Sequence, residues 1–227
     1  MSSVWAVLVA AGRGERLGSK RPKAFAVLGG RPLLAESLER LDGIPRIERV
    51  VAVVPPKWEE PSILCAEEVG ASKLTACIVG GETRTDSVRI GIGEVPQHAD
   101  VILIHDAARP LLRRQIVDRL LGGLGEGYDG AVPGLPVADT IKRAPGGTVV
   151  ETLDRSELVA AQTPQVFAAG ALRRAFADAD SCGTDCAALV ERAGGRIRVV
   201  PGDPDLLKVT TPEDLAAIEQ RLAREAR

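Results

Sequence analysis

The sequence predicts an α/β fold, in which a Rossmann-like, mainly parallel sheet is flanked by helices and carries a protruding β-hairpin arm. Three observations support this prediction. Short apolar runs alternate with helical patterns, one polar segment interrupts the alternation, and apolar residues make up 45% of the 227 residues, enough to bury one such sheet. We therefore expect residues 1–227 to form a single domain, with the arm at about residues 137–157.

Five apolar runs of strand length precede the arm. Continuous apolar runs are typical of strands that are buried on both faces of a parallel sheet. The runs are Val4–Ala10, Val50–Val54, Thr75–Val79, Val101–Ile104 and Ala131–Leu135. Helical patterns lie between them, at Leu33–Leu41, Ile63–Val69, Val88–Ile92 and Ile116–Leu124. The alternation predicts right-handed βαβ crossovers, with a ligand bound where Ala11–Lys23, Gly80–Ser87 and His105–Pro110 converge beyond the carboxyl ends of the strands.

The pattern changes after Pro136. Two polar strands at Thr140–Arg143 and Thr148–Leu153 flank a turn at Pro145–Gly147, which predicts a hairpin. An isolated two-stranded hairpin is marginally stable in water, so we expect the arm to pack against another surface. A second subunit is the natural candidate.

The α/β pattern resumes after the arm. Its elements are a strand at Gln162–Phe167, helices at Ala171–Ala177 and Cys186–Ala193, and a strand at Ile197–Val200. A last helix begins with Thr211 as N-cap and Pro212 at the first helical position, followed by two acidic residues that face the helix dipole.

Charge and composition narrow the possible functions. A net charge of −2 with 3% aromatic residues does not provide the basic face and stacking platforms of nucleic-acid binders, so we expect no nucleic-acid partner. The scattered cysteines Cys65, Cys77, Cys182 and Cys186 indicate buried thiols in a reducing cytoplasm. The apolar run Trp5–Ala11 is too short to span a membrane and follows no basic leader segment. We therefore expect a cytoplasmic protein without a membrane partner.

A basic, glycine-rich loop follows the first strand, from Ala10 to Lys23. Glycines let a ligand approach the backbone closely, and Arg and Lys bind phosphate oxygens, so the loop predicts a polyphosphate site. It lacks the Lys-Ser/Thr pair of P-loop ATPases, and Leu17 stands where a dinucleotide fold needs a glycine. Ala10 and Ala11 are small enough for a base to lie against the backbone. The alternative is a solvated basic turn.

Asp106 and Lys208 add chemistry to this binding site. Asp106 leaves an apolar strand at the ligand edge, where it is a candidate magnesium ligand, the alternative being a helix cap. Lys208 lies in an apolar run and requires an anionic partner, such as a phosphate. With His105 and His98 as the only histidines, no His-dependent triad or zinc site can form. Loop cations, one carboxylate and no evident base favour nucleotidyl transfer over hydrolysis, because a phosphate monoester is an anionic nucleophile already.

These motifs, in this order, resemble the 2-C-methyl-D-erythritol 4-phosphate cytidylyltransferases of the non-mevalonate isoprenoid pathway. The shared motifs are Ala10-Ala11-Gly12 with Arg16 and Pro22-Lys23, Gly80-Gly81-x-x-Arg84-x-x-Ser87-Val88, His105-Asp106-Ala107-Ala108-Arg109-Pro110, Asp139-Thr140-x-Lys142, Asp154-Arg155, Thr163-Pro164-Gln165, Thr184-Asp185 and Lys208-Val209-Thr210. The resemblance extends over nearly the whole chain. It implies a Rossmann-like fold of the nucleotidyltransferase type.

The resemblance also implies a reaction and a role for each matching residue. CTP and 2-C-methyl-D-erythritol 4-phosphate would give 4-diphosphocytidyl-2-C-methyl-D-erythritol and pyrophosphate, with Mg²⁺ as cofactor bound by Asp106. The residues implied around CTP are Ala10, Ala11, Gly12, Gly81, Glu82 and Ser87. The residues implied to hold phosphates and stabilise the transition state are Arg16, Lys23 and Lys208. The implied homodimer exchanges its arms, and the residues implied to bind the second substrate are Thr140 and Arg155 of the arm, with Thr163 and Thr184.

Two alternatives remain. Relatives that use ribitol 5-phosphate share the loop, but we expect them to carry Ala-Gly-Gly in place of Ala10–Gly12 and an acidic arm in place of Lys142-Arg143. A catalytically silent nucleotide-binding module would have lost Lys23, Asp106 or Lys208, and all three are present. One departure from the family pattern is Cys186, which follows Thr184-Asp185 where many members carry an acidic or small residue.

Overall fold

The structure is a computed structural model that describes residues 2–12, 14, 17–18, 21–177, 183 and 185–225. Two predicted site residues, Arg16 and Thr184, lie outside the described residues, as does Cys182. The described residues form strands and helices in alternation, as the sequence predicts.

The strands are β1 (Val4–Val9), β2 (Val27–Leu28), β3 (Arg31–Pro32), β4 (Arg49–Val54), β5 (Leu74–Val79), β6 (Val101–Asp106), β7 (Gly130–Pro136), β8 (Lys142–Arg143), β9 (Glu151–Thr152), β10 (Val159–Ala161), β11 (Gln165–Ala168) and β12 (Ile197–Pro201). The α-helices are α1 (Leu33–Asp42), α2 (Glu59–Glu68), α3 (Arg84–Glu94), α4 (Arg114–Gly122), α5 (Ala169–Ala175), α6 (Cys186–Arg192) and α7 (Pro212–Glu225). Among the described residues, no helix has the length and apolar character needed to cross a membrane.

The central sheet is mixed but mainly parallel, which confirms the predicted fold class. Its strand order is β10-β7-β11-β6-β1-β4-β5, and β12 pairs with β7 as well. The strands β6, β1, β4 and β5 are parallel to one another. By contrast, β11 runs antiparallel to both β6 and β7, and β10 runs antiparallel to β7. The parallel half therefore carries its carboxyl ends to one edge, where ligands bind in sheets of this kind.

Both faces of the sheet are covered by helices, as continuous apolar strands require. In β1, Ala6 and Leu8 pack towards α1 and α4, whereas Val7 packs towards α3. Helix α3 approaches β1 closely at Gly91, where any side chain would collide with Val7. The described cysteines Cys65, Cys77 and Cys186 are free thiols; the first and last of them are buried.

A third, smaller apolar cluster joins α7 to the body of the protein. It contains Leu28, Leu33, Val209 and Ile218, which are almost fully buried, and Leu17 of the glycine-rich loop packs against it. The start of α7 is the predicted one: Thr211 Oγ1 accepts a hydrogen bond from the Asp214 backbone at 3.3 Å, and Asp214 accepts one from the Thr211 backbone at 2.9 Å. This cluster places Lys208, beside Val209, at the edge of the sheet.

The arm is present but its ladder is shorter than predicted. Only Lys142–Arg143 and Glu151–Thr152 pair, in antiparallel register, within the longer strands that the sequence predicts. Most side chains from Ala138 to Ala161 are exposed. Val149 and Val150, for example, are 57% and 60% exposed. Among the described residues, the arm therefore buries few of its side chains against the rest of this chain.

Candidate active site

A cavity of about 1150 Å³ lies at the carboxyl ends of the parallel strands. The segments that follow β1, β4, β5 and β6 converge there, as the topology predicts. The lining residues are Val9, Ala10, Ala11, Gly12, Gly14, Lys23, Ala24, Pro55, Pro56, Gly80, Gly81, Glu82, Thr83, Arg84, Ser87, Asp106, Ala107, Ala108, Lys208 and Thr210. Nearly all the residues predicted to contact CTP and its phosphates, with the predicted metal ligand Asp106, thus share one cavity.

One wall of the cavity consists of backbone and small side chains. A Cβ atom on Gly80 would lie 2.5 Å from Ala11 Cβ and 2.7 Å from Ser87 Oγ, so these three segments are in close contact. The Ala10 backbone is fixed by a hydrogen bond to Val53 at 2.7 Å. Gly81 lies equally close to Asp86. A wall of this kind leaves room for a flat base whose edge is read by backbone groups.

The glycine-rich loop folds back on itself within the cavity. Gly14 adopts a positive φ of 74°, and a Cβ atom there would lie 2.8 Å from Lys23 Cβ. The Lys23 backbone donates a hydrogen bond to Gly12 at 3.2 Å, and Leu17 donates one to Gly14 at 2.9 Å. Only glycine accepts this conformation at so close an approach. The fold of the loop therefore brings the Lys23 side chain to the cavity.

Asp106 ends β6 in the cavity floor and is held between two cations. Its Oδ1 accepts hydrogen bonds from Arg84 Nε at 3.0 Å and from Arg84 Nη2 at 2.9 Å. Its Oδ2 accepts one from Lys208 Nζ at 2.6 Å. Lys208 therefore has the anionic partner that the sequence predicts it requires, and this partner is Asp106 of the same chain.

These contacts fix the charges of the floor. Burial alone would raise the pKa of Asp106, but the charges and hydrogen bonds of Arg84 and Lys208 outweigh it and hold that pKa well below its ordinary range. Burial opposes the charge of Arg84 as well, yet Asp106 raises the pKa of Arg84 above its usual value. Asp106 is therefore an anion and Arg84 a cation at neutral pH. One negative charge faces two positive ones, which leaves the floor net positive.

Arg84 is a charged residue of the cavity lining for which the sequence predicted no role. It belongs to the Gly80–Val88 motif, but nothing in the motif indicates a contact with a residue 22 positions away. Its remaining nitrogen, Nη1, lies 3.7 Å from Cys186 Sγ. Burial raises the pKa of Cys186 to about 11, so this thiol is neutral and packs beside the guanidinium. The unusual Cys186 thus contacts the site through Arg84.

Thr163 and His105 lie behind the floor. Thr163 Oγ1 accepts a hydrogen bond from the Asp106 backbone at 3.1 Å and lies 3.4 Å from His105 Nδ1. The other ring nitrogen of His105 lies 3.1 Å from the Arg109 carbonyl oxygen. Burial lowers the pKa of His105 to about 4, so its ring is neutral. The histidine is a fully buried core residue whose two ring nitrogens both lie near polar partners.

The two arm residues predicted to bind substrate are not in the cavity of their own chain. Thr140 and Arg155 are exposed, and the Arg155 guanidinium donates a hydrogen bond to the Ala138 carbonyl. Among the described residues, those of the arm do not line the cavity. Their predicted role, in the site of another subunit, stays a prediction.

The donor set suits magnesium that arrives with a nucleotide. Within the described part of the chain, no group of three or more His, Cys, Asp or Glu side chains could hold a metal ion. Magnesium needs less from a protein, because it binds one or two carboxylates and takes its other ligands from phosphates and water. Asp106 is the candidate carboxylate at the cavity floor, where its two oxygens accept hydrogen bonds from Arg84 and Lys208.

The chain is similar over nearly its whole length to proteins of known name. Residues 4–224 match the family model described as 2-C-methyl-D-erythritol 4-phosphate cytidylyltransferase. The protein of this name from Nocardia farcinica is 44% identical over 225 residues, which cover 99% of this chain and 96% of that relative. Its counterpart from Rubrobacter xylanophilus is 44% identical over 232 residues, which cover 100% of this chain and 98% of the relative.

The fold agrees with this similarity. The crystal structure of 2-C-methyl-D-erythritol 4-phosphate cytidylyltransferase from Thermus thermophilus matches with a TM-score of 0.76 at 32% identity, and the match covers 96% of this chain and 98% of that one. The resemblance predicted from the sequence motifs is therefore confirmed: the chain belongs to the 2-C-methyl-D-erythritol 4-phosphate cytidylyltransferase family.

Proposed function

We propose that this protein transfers CMP from CTP to 2-C-methyl-D-erythritol 4-phosphate, giving 4-diphosphocytidyl-2-C-methyl-D-erythritol and pyrophosphate in isoprenoid precursor biosynthesis. Membership of the family supports this reaction. The observation in the structure that supports it best is the cavity floor, where Asp106 lies between Arg84 and Lys208 below the backbone wall of Gly80 and Gly81.

The geometry favours transfer between two phosphates. The nucleophile, a phosphate monoester, is anionic at neutral pH, so no side chain has to remove a proton from it. The described residues offer Lys23 and Lys208 at the cavity, and the family resemblance adds Arg16. These cations would offset the charge that develops at the α-phosphorus, and holding both phosphates in line contributes roughly 7–11 kcal/mol.

Magnesium fits this proposal as a cofactor held by Asp106 and the triphosphate. When bound, it polarises the phosphate oxygens as a Lewis acid. The chain's own residues do the rest: Lys23 and Lys208 bind phosphate oxygens, and Ala10–Gly12, Gly81, Glu82 and Ser87 surround cytidine. The close contact of Gly80 with Ala11 and Ser87 supports this placement of the base, because that wall consists of backbone and small side chains only.

The second substrate would bind between two subunits. An arm with exposed valines and a ladder of two residues per strand favours a homodimer in which each arm reaches the partner's site. Thr140 and Arg155 would then meet the sugar phosphate, and Thr163 and Thr184 are the further residues that the family resemblance implies for this substrate. The remaining parts of the proposal follow from composition: the enzyme is cytoplasmic and has no nucleic-acid partner.

The reaction is tested by pyrophosphate release. Purified protein is incubated with magnesium, with each of the four ribonucleoside triphosphates, and with either 2-C-methyl-D-erythritol 4-phosphate or ribitol 5-phosphate. We expect the fastest turnover with CTP and the methylerythritol phosphate. Faster turnover with ribitol phosphate or with UTP would contradict the substrate assignment. Binding of CTP without turnover of either polyol phosphate would indicate a silent module.

A further inference from the structure

The two oxygens of the Asp106 carboxylate have different partners. Arg84 donates two hydrogen bonds to Oδ1, at 3.0 Å and 2.9 Å, whereas Lys208 donates one to Oδ2, at 2.6 Å. The guanidinium therefore restrains the position of Oδ1, because two of its three nitrogens, Nε and Nη2, donate to that oxygen. The ammonium forms a single contact on the opposite side.

The two cations also differ in how firmly they are held. Arg84 is the first residue of α3, after a capping box in which Thr83 and Asp86 bond each other, and its third nitrogen packs on Cys186. Its side chain is 27% exposed. The Lys208 side chain is 40% exposed and faces the cavity on a flexible four-carbon stem. A planar guanidinium is suited to a fixed contact and an ammonium to an exchangeable one.

We propose that Arg84 is a positioning residue that keeps Asp106 in place throughout the reaction, and that Lys208 is the exchangeable partner, which leaves Oδ2 when nucleotide and magnesium bind. The inference rests on the proposed function, since it assigns a role to a residue of the same site. It explains why one carboxylate has two cations: one orients Oδ2, and the other occupies that oxygen until a phosphate draws the ammonium away.

In this exchange, each negatively charged group keeps a positively charged partner. Without ligand, Oδ2 is neutralised by Lys208. With nucleotide bound, Asp106 would be the residue that holds the metal through Oδ2, and the Lys208 ammonium would bind phosphate oxygens, which carry the new negative charge. Arg84 stays on Oδ1, so the carboxylate does not turn away as its other partner changes.

Nucleotide binding tests the positioning role without needing turnover. Isothermal titration measures the affinity of Arg84→Gln, Arg84→Lys and the unaltered protein for CTP, with magnesium and with EDTA. Partners that orient a metal ligand typically contribute about 10–100-fold to metal affinity or activity. We expect Arg84→Gln to reduce the gain in CTP affinity that magnesium provides by about tenfold. Arg84→Lys should restore part of it, because it keeps the charge but not the two-pronged contact.

Two matched controls separate positioning from general stability. Arg89 lies on the same helix and pairs with Asp86 at 2.9 Å, away from the cavity, so Arg89→Gln should leave the magnesium dependence unchanged. In an Asp106→Asn background, the Arg84→Gln change should alter the metal-linked affinity less than about twofold, because its target is gone. Equal effects with and without Asp106 would mean that Arg84 acts elsewhere.

A crystal structure with CTP and magnesium tests the exchange directly. We expect Arg84 to remain within hydrogen-bonding distance of Oδ1 and the Lys208 ammonium to have moved from Oδ2 to a phosphate oxygen. The inference is overturned if Lys208 stays on Oδ2 or Arg84 leaves Oδ1, or if Arg84→Gln binds CTP with magnesium as tightly as the unaltered protein. Unaltered protein that binds no CTP would instead overturn the proposed function itself.

Discussion

The nucleotide cavity and the arm differ in what supports them. Asp106 in the cavity floor ends β6, a strand whose six residues are all buried, and is itself only 5% exposed. The arm rests on a ladder of two residues per strand, and its Val150 is 60% exposed. One chain therefore forms, by its own folding, the cavity that we propose binds the nucleotide. We infer that the other half of the site depends on a partner, and four experiments test this division.

The largest effect is expected in the cavity floor. Asp106→Asn leaves Arg84 and Lys208 without the negative charge between them, and removes the proposed magnesium ligand. We expect the rate of pyrophosphate release to fall on the order of 10³-fold, as for other losses of a preorganised electrostatic group. The control is Asp100→Asn, because Asp100 is exposed and precedes the opposite end of β6. Its rate of pyrophosphate release should be near that of the unaltered protein. A loss of less than about tenfold for Asp106→Asn would show that the floor is not catalytic.

The free energy of unfolding should depend on pH through His105, which lies behind the cavity floor, and not through the arm. Burial lowers the pKa of His105 to about 4, below its ordinary value near 6.5. As pH falls below about 6.5, the unfolded chain binds a proton that the folded chain rejects, so stability decreases down to about pH 4. Between pH 7 and pH 5 we expect a loss of about 2 kcal/mol in urea unfolding with EDTA present. This loss should vanish in His105→Gln and persist in His98→Gln, whose histidine is exposed.

Subunit mixing tests whether the arm serves another chain. Lys23→Ala damages the nucleotide half of a site and Arg155→Ala damages the arm, so each homodimer should be nearly inactive. If arms are exchanged, random mixing gives half mixed dimers with one intact site each, and activity should return to about a quarter of normal. No recovery, with exchange proven by a tag on one chain, would place Arg155 in its own subunit's site.

The smallest effect concerns assembly. Val150→Asp places a charge on the exposed apolar face of the arm, where a partner subunit would bury it. We expect sedimentation analysis to show a dimer dissociation constant raised at least about tenfold. Leu64→Asp is the matched control, because Leu64 is 57% exposed and lies on α2, away from the arm. An equal effect of both changes would mean that the arm is not the specific contact.

The sequence predicted the parallel half of the fold more completely than the remainder. Strand β4, for example, contains the continuous apolar run Val50–Val54, whose pattern has one interpretation. The short strand Val159–Ala161 was not predicted, because three exposed residues have no periodicity to detect. The antiparallel direction of Gln165–Ala168 was not predicted either, since direction depends on the partner strand. Helix α2 begins at Glu59, earlier than the predicted Ile63, because Pro61 is tolerated in a first turn.

The candidate site shows the same limit. Lys23, Asp106 and Lys208 were predicted because each is a residue type whose surroundings demand an explanation, and all three line the cavity. The contact of Arg84 with Asp106 was missed, because it joins residues 22 positions apart on different elements. Residue types and local patterns identify candidates for charge chemistry. Which charges touch is decided by tertiary packing, which a single sequence does not display.

The position of the arm within the sheet has a consequence for how such proteins can diversify. The arm leaves the sheet at Pro136 and returns at Val159, and these two residues face each other across neighbouring strands. The whole segment between them is thus an enlarged version of the loop that joins any two adjacent antiparallel strands. Its length and sequence can change with little disturbance to the strands on either side. Natural variation or engineering can therefore alter the arm while the strands that position the cavity are inherited unchanged.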